Sequence, residues 1–177
     1  MYSRVLLEAG ACIETNFPET PLMIAAREDQ ADCLQLLIQA GARFDIYNSN
    51  KQNPLHLACE ESNVECVEIL LNQGFDVNAV DIFHRTPLYL CCGNFRARTI
   101  ECIRLLLRRN LHVNIADHYG RTPLHVCASV GADEIISILL DSGANPKLTD
   151  KSGKYPSDLA TYHVSTSKLL HDAEGNV

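Results

Sequence analysis

Apolar residues recur along the chain in short blocks at helical spacing. Val64, Cys66, Val67, Ile69, Leu70 and Leu71 make one such block. Their three-and-four spacing predicts an amphipathic helix with a broad apolar face. Just before it, Leu55, Leu57, Ala58 and Cys59 predict a shorter helix, with a polar break at 61–63. Gly74 then ends the second helix, because glycine accepts the left-handed conformation that follows a helix C-terminus. Residues 75–85 read as an extended loop. The same order returns along the chain. Leu6-Leu7, Leu37-Ile38, Leu70-Leu71, Leu106-Leu107 and Leu139-Leu140 each stand just before a mark residue: Gly10, Gly41, Gly74, Asn110 and Gly143.

The prolines set the period. Pro21, Pro54, Pro87, Pro123 and Pro156 are separated by 33, 33, 36 and 33 residues. Thr20, Asn53, Thr86 and Thr122 precede the first four as N-caps, whose side-chain oxygens accept free N–H groups of the first turn. Proline at the first helical position loses no hydrogen bond and already has the right φ. A helix pair of this kind cannot bury both faces alone. Stacked on its neighbours it can, which predicts a solenoid.

The run Arg121-Thr122-Pro123-Leu124-His125-Val126-Cys127-Ala128, with Leu139-Leu140-Asp141-Ser142-Gly143-Ala144 after it, resembles the ankyrin repeat, and five such units stand in phase. The resemblance implies an all-α ankyrin-repeat α-solenoid of helix-turn-helix units with β-hairpin-like finger loops. It implies one domain over 1–177. Within it, 1–14 is a partial N-terminal unit, 15–47, 48–80, 81–116 and 117–149 are repeats, and 150–177 is a degenerate C-terminal cap. The partial unit suggests a fragment or shortened form of a longer array, or an end covered by something else; its exposed flank would be a surface for self-association. The unit starting at Pro87 has a longer inter-helix loop at 93–99. In the last unit Tyr155 replaces the capping Thr, and its second helix is expected to be brief and polar, over 166–171.

This register explains the cysteines. Cys33, Cys66 and Cys102 each lie eight residues before a mark, in a core-facing slot that holds Ile135 in the next unit. Cys59 and Cys92 replace Ala26 and Ala128; Cys91 and Cys127 replace Ala25 and Ala58. Buried thiols and small apolar residues exchange in such slots. Cys12, in a loop, is expected to be the exposed thiol. His56 and His125 take the fourth position of the Thr-Pro-Leu-His motif, where the family's His bonds within the turn and to the next unit. Tyr89 offers a related bond and Met23 does not.

Fifteen Lys and Arg against 22 Asp and Glu give a net charge of −7. So acidic a chain has no general attraction to nucleic acid or anionic membrane. No apolar run approaches the ~20 residues that span a bilayer. The chain reads as cytoplasmic, with the nucleus as the alternative. No phosphate-binding glycine loop, HExxH or GxSxG is present, and no CxxC, so neither catalysis, a cofactor nor a metal is expected. Arg96, Arg98, Arg104, Arg108 and Arg109 crowd a short stretch; ordinary pairing with Glu on an outer helix is the simpler reading.

The resemblance also places partner contacts, on the fingers and first helices. Asn48, Asp81, Asp117 and Asp150 fall six residues before a proline and should cap the finger turns. Gly120 and Gly153 should take positive φ, with Lys51 and His84 in their place in two fingers. The exposed candidates are Tyr47, Asn50, Gln52, Ile82, Phe83, Arg85, His118, Tyr119 and Arg121, with Glu60 and Glu61 on a first helix. Phe83, Arg85, Tyr119 and Arg121 are the expected centre, aromatic and Arg side chains being the usual interface anchors. The function implied is non-catalytic protein–protein recognition. The alternative is a substrate-recognition adaptor of a ubiquitin ligase or other complex, in which a further box of helices would follow the repeats. Asn78, after Leu70 and Asp76-Val77, also matches the pattern hydroxylated in ankyrin repeats; Asn114 matches less well, with His112 replacing the acid.

Overall fold

A computed structural model describes residues 19–94 and 96–175. The expectations on the partial first unit and on Cys12 lie outside them. Among the described residues are ten helices and no strand: α1 Pro21–Arg27, α2 Ala31–Gln39, α3 Pro54–Glu61, α4 Val64–Asn72, α5 Pro87–Gly93, α6 Thr99–Leu107, α7 Pro123–Val130, α8 Asp133–Asp141, α9 Pro156–Leu159 and α10 Val164–Gly175.

Each odd-numbered helix starts where the caps put it. The side-chain oxygens of Thr20, Asn53 and Thr86 accept from the N–H groups of Met23, His56 and Tyr89 at 3.4, 3.0 and 3.2 Å. Where Tyr155 lacks that oxygen, the Asp158 carboxylate accepts from the Tyr155 N–H at 2.9 Å and caps α9 in the other direction. In the first, second and fourth helix pairs the turn passes through one left-handed residue, Asp29, Ser62 and Gly131 respectively.

The odd-numbered helices pack on one another as an inner row. Behind them α2, α4 and α6 pack in sequence, and α10 packs on α8. Equivalent positions stack into continuous layers: Leu22, Leu55, Leu88 and Leu124 form one, and Leu34, Val67, Ile103 and Ile136 another, all at most 1% exposed. Cys59, Cys66, Cys91, Cys92, Cys102 and Cys127 are free and buried in this core, and Cys33 is half-buried. Burial pushes the Cys66 thiol up to about 12, so it stays an apolar packing group at neutral pH.

The long loop of the third unit is pinned to the unit before it. Asn94 donates to the Glu60 carbonyl at 3.2 Å, and Arg96 and Arg98 pair with Glu61 and Glu65 at 2.7 and 2.8 Å. At its end the buried Thr99 hydroxyl meets Ser62 Oγ at 2.8 Å. The C-terminal helix departs from expectation. It is the longest described, running over 12 residues rather than 166–171. No breaker stands between Val164 and Gly175 to stop it, Leu170 is wholly buried, and Ser165 and Thr166 donate to Asp133 on α8.

Candidate functional site: the finger edge and groove

Every described finger is built on one acceptor. Oδ1 of Asn48 accepts from the N–H groups of Asn50 and Gln52; Asp81, Asp117 and Asp150 repeat the pattern two and four residues on, all at 2.8–3.0 Å. The turn forces one residue to positive φ: Lys51 at 55°, His84 at 62°, Gly120 at 78° and Gly153 at 76°. At Gly120 a Cβ would also lie 2.9 Å from the Lys151 backbone nitrogen, so space as well as φ calls for glycine there.

Each finger is closed like a hairpin, the N–H of Asn48, Asp81, Asp117 or Asp150 donating to the carbonyl four residues on at 2.9–3.0 Å, without a strand forming among the described residues. One further backbone bond joins each finger to its neighbour. Ile82 donates to the Asn50 carbonyl, His118 to that of Phe83, and Lys151 to that of Tyr119, at 2.9–3.0 Å.

The second oxygen of the capping carboxylate holds an arginine. Asp81 Oδ2 accepts from Arg85 at 2.7 Å, and Asp117 Oδ2 from Arg121 at 3.0 Å. The guanidinium groups then lie over the exposed rings two residues back, Arg85 over Phe83 at 4.8 Å and Arg121 over Tyr119 at 5.1 Å. Each ring is therefore held by a cation that is itself held by a buried anion, a geometry that fixes two long side chains before any partner arrives. Asp117 accepts from the Tyr89 hydroxyl as well, at 2.7 Å. Burial pushes its carboxyl up, but Tyr89, the finger N–H groups and Arg121 outweigh burial and hold it below the ordinary carboxylate range.

His56 and His125 tie helices to fingers. Nδ1 of each accepts the N-cap N–H, from Asn53 at 3.3 Å and from Thr122 at 3.1 Å. The proton therefore sits on Nε2, which donates to the carbonyl of Arg85 or Lys154 in the next finger at 3.2 and 3.1 Å. Burial pushes His56 down to about 4, and His125 down too, so both rings are neutral at physiological pH.

Of the candidate contact residues, Tyr47, Ile82, Phe83 and Tyr119 are exposed, Tyr47 and Tyr119 at 60% and 65%. Asn50 and His118 are exposed and Arg85 and Arg121 partly so. His118 stacks on His84 of the neighbouring finger, ring centres 5.7 Å apart. Gln52 is a correction. It is 4% exposed, because its amide turns back to accept from Asn48 Nδ2 at 3.0 Å, the neutral counterpart of the Asp–Arg clamps. Glu61 differs as well: its carboxylate is drawn to Arg96 of the inserted loop. Glu60, with Arg27 and Asn50, lines a hollow of about 510 Å³ between the first helices and the first finger.

Asn78 braces two units. Its Nδ2 donates to the Asn110 carbonyl and its Oδ1 accepts from the His112 N–H, both at 2.8 Å. Asn114 makes the same pair of bonds to Gly143 and Asn145.

Sequence reasoning passed over the clamp itself. The spacing Asp-x-aromatic-x-Arg occurs in one finger and the next, Asp81-Ile82-Phe83-His84-Arg85 and Asp117-His118-Tyr119-Gly120-Arg121. It was the available signal.

A family model described as ankyrin repeats (3 copies) matches residues 4–81 and 79–150. The chain belongs to the ankyrin repeat family. Members of that family are, as a class, protein-interaction modules. The finger edge and the groove behind it are accordingly this ankyrin chain's candidate binding surface. No curated protein matches the chain closely enough to name a nearer relative. No described helix is long and apolar enough to cross a membrane. The described residues contain no group of three or more His, Cys, Asp or Glu side chains that could hold a metal ion.

Proposed function

We propose that the chain is a recognition module that captures a partner protein on its finger edge and adjoining groove, with no chemistry of its own. The observation that carries this is the repeated clamp. Two exposed rings on neighbouring fingers, Phe83 and Tyr119, are each stacked under an arginine that a buried aspartate holds. Rigid aromatic and arginine side chains bind with little entropy to lose, which is why they dominate interface energetics.

The test is capture from cell lysate with wild type beside a Phe83→Ala/Tyr119→Ala variant, read by mass spectrometry. Neither ring is in the core, so the variant should fold. A specific partner should be lost or bound at least ~10-fold more weakly, equivalent to about 1.4 kcal/mol or more. A folded variant that retains every partner would exclude this edge. Recovery of ubiquitin-ligase subunits with the partner would point to an adaptor role.

Hydroxylation of Asn78 is a separate proposal, resting on its place after Asp76-Val77. A peptide carrying the mass of one added oxygen, from chain purified out of cells, is the expected result. Its complete absence would count against the idea.

A further inference from the structure

The finger edge differs in charge from the rest of the chain. The four finger segments, 47–52, 80–85, 116–121 and 149–154, hold five cations against three carboxylates, in a protein whose net charge is −7. The carboxylates are the turn-capping Asp81, Asp117 and Asp150. The side chains of Asp81 and Asp117 are 0% and 2% exposed and occupied by Arg85 and Arg121. Lys51, Lys151 and Lys154 are exposed, and no ion pair holds them among the described residues. What reaches solvent from the tips is therefore mostly cationic and aromatic.

The third and fourth fingers concentrate this character. Between them and the inner helices α7 and α9 lies a hollow of about 300 Å³. Val126 and Leu159 line it with apolar surface, and Arg121 and Lys154 with charge. Asp150 lines it too, with one oxygen bonded to the Ser152 and Lys154 N–H groups. A smaller hollow of about 240 Å³ beside it is lined by Tyr119, Arg121, Lys151 and Ser152, with the same Asp150.

We infer that the partner enters this edge as an extended acidic segment, with carboxylate side chains toward Arg121, Lys151 and Lys154 and apolar or aromatic side chains on Phe83, Tyr119 and the Val126–Leu159 surface. This rests on the proposed recognition function and adds the chemistry of what is recognised. A protein segment fits better than nucleic acid. The cationic edge is narrow and carried by a strongly acidic body, which would repel a polyanion charged at every step.

The probe is a short peptide of repeating Glu-Glu-Tyr, titrated into isotope-labelled full-length chain and followed by backbone amide shifts. Its counterparts are Lys-Lys-Tyr and Ser-Ser-Tyr repeats and an oligothymidylate of similar length. The acidic peptide should move the amides of Phe83, Tyr119 and Ser152. Its affinity should fall as salt rises past ~0.1 M, where screening takes hold. A Lys151→Glu/Lys154→Glu variant should bind it about 10-fold more weakly, through loss of electrostatic complementarity. An Arg104→Glu/Arg108→Glu variant, altered on the outer helix α6 and at its C-cap, should bind as wild type does.

Equal binding of the Ser-Ser-Tyr peptide would overturn the acidic preference and leave the finger-edge reading standing. Shifts confined to α6, or equal loss in the outer-helix variant, would overturn the placement. Tighter binding of the oligothymidylate at the same amides would make the edge a nucleic-acid site and overturn the assignment to a protein segment. If no peptide moves a finger amide, the inference fails, while capture by the Phe83/Tyr119 pair still decides the recognition function independently.

Discussion

At the scale of single residues, the fingers depend on side chains that satisfy several backbone groups at once. Asp117 is the extreme case, accepting from two backbone N–H groups, Tyr89 and Arg121. Removing it leaves a buried tyrosine hydroxyl and two N–H groups without partners. Asp117→Ala should therefore cost about 3 kcal/mol in urea unfolding, given ~1.5–3 kcal/mol for hydrogen bonds to a charged group. His56 makes a pH prediction. Burial lowers it from an ordinary 6.5 to about 4, so the unfolded chain takes up a proton that the folded chain refuses. Stability should be whole above about pH 6.5, fall as pH drops from there, and level off below about 4. At about 1.4 kcal/mol per tenfold difference in proton affinity, the full loss is about 3 kcal/mol. The urea midpoint followed against pH checks this. A His56→Gln variant should lose most of the slope; an unchanged slope would assign it to other groups. Asn78→Ala, which removes two bonds between units, should cost about 1–2 kcal/mol by the same measurement.

At the scale of the element, helix starts were legible because the signal is local. A cap oxygen and a proline act within four residues, and α1, α3, α5 and α7 begin where those residues stand. The left-handed finger residues were legible for the same reason. The end of α10 was not. Whether a polar run such as Val164–Gly175 continues as a helix depends on what its few apolar residues meet, and Leu170 meets the core. The turn between α7 and α8 carries a further prediction. Gly131 sits at φ 71°, and a Cβ there would lie 2.4 Å from Nδ1 of His163. Gly131→Ala should destabilise by about 1–3 kcal/mol, the usual cost of a non-glycine residue in a sparsely populated backbone region with a side chain to displace. A cost near zero in thermal unfolding would mean that His163 moves aside freely.

Across the whole molecule, each unit touches mainly its neighbours, through the inner helix row, the histidine bridges and one backbone bond per pair of fingers. Stability in such a stack is close to a sum of units and interfaces. Truncation after Leu159 removes α10 with its buried Leu170 and its bonds to Asp133. Burying one leucine contributes about 1.5–3 kcal/mol, so the truncated chain should unfold earlier by about that much. Hydrogen exchange should show α8 losing protection first and α1 and α2, farthest from the cut, losing least. Uniform loss through the stack would mean that the units do not open independently.

The sequence by itself determined the repeat, its period, the helix starts, the positive-φ tips, the slots of the cysteines and the family. All of these follow from interactions within a few residues or from a pattern repeated in phase. Tertiary structure decided which finger residues reach solvent. Gln52 holds the same finger position as Arg85 and Arg121, yet it turns inward to Asn48 while the two arginines cover aromatic rings. It also decided that Glu61 would answer Arg96 from the next unit and that Tyr89 would reach Asp117. The Glu61–Arg96 and Tyr89–Asp117 pairings join residues 35 and 28 positions apart, and only the stacking of one unit on the next brings them within hydrogen-bonding distance.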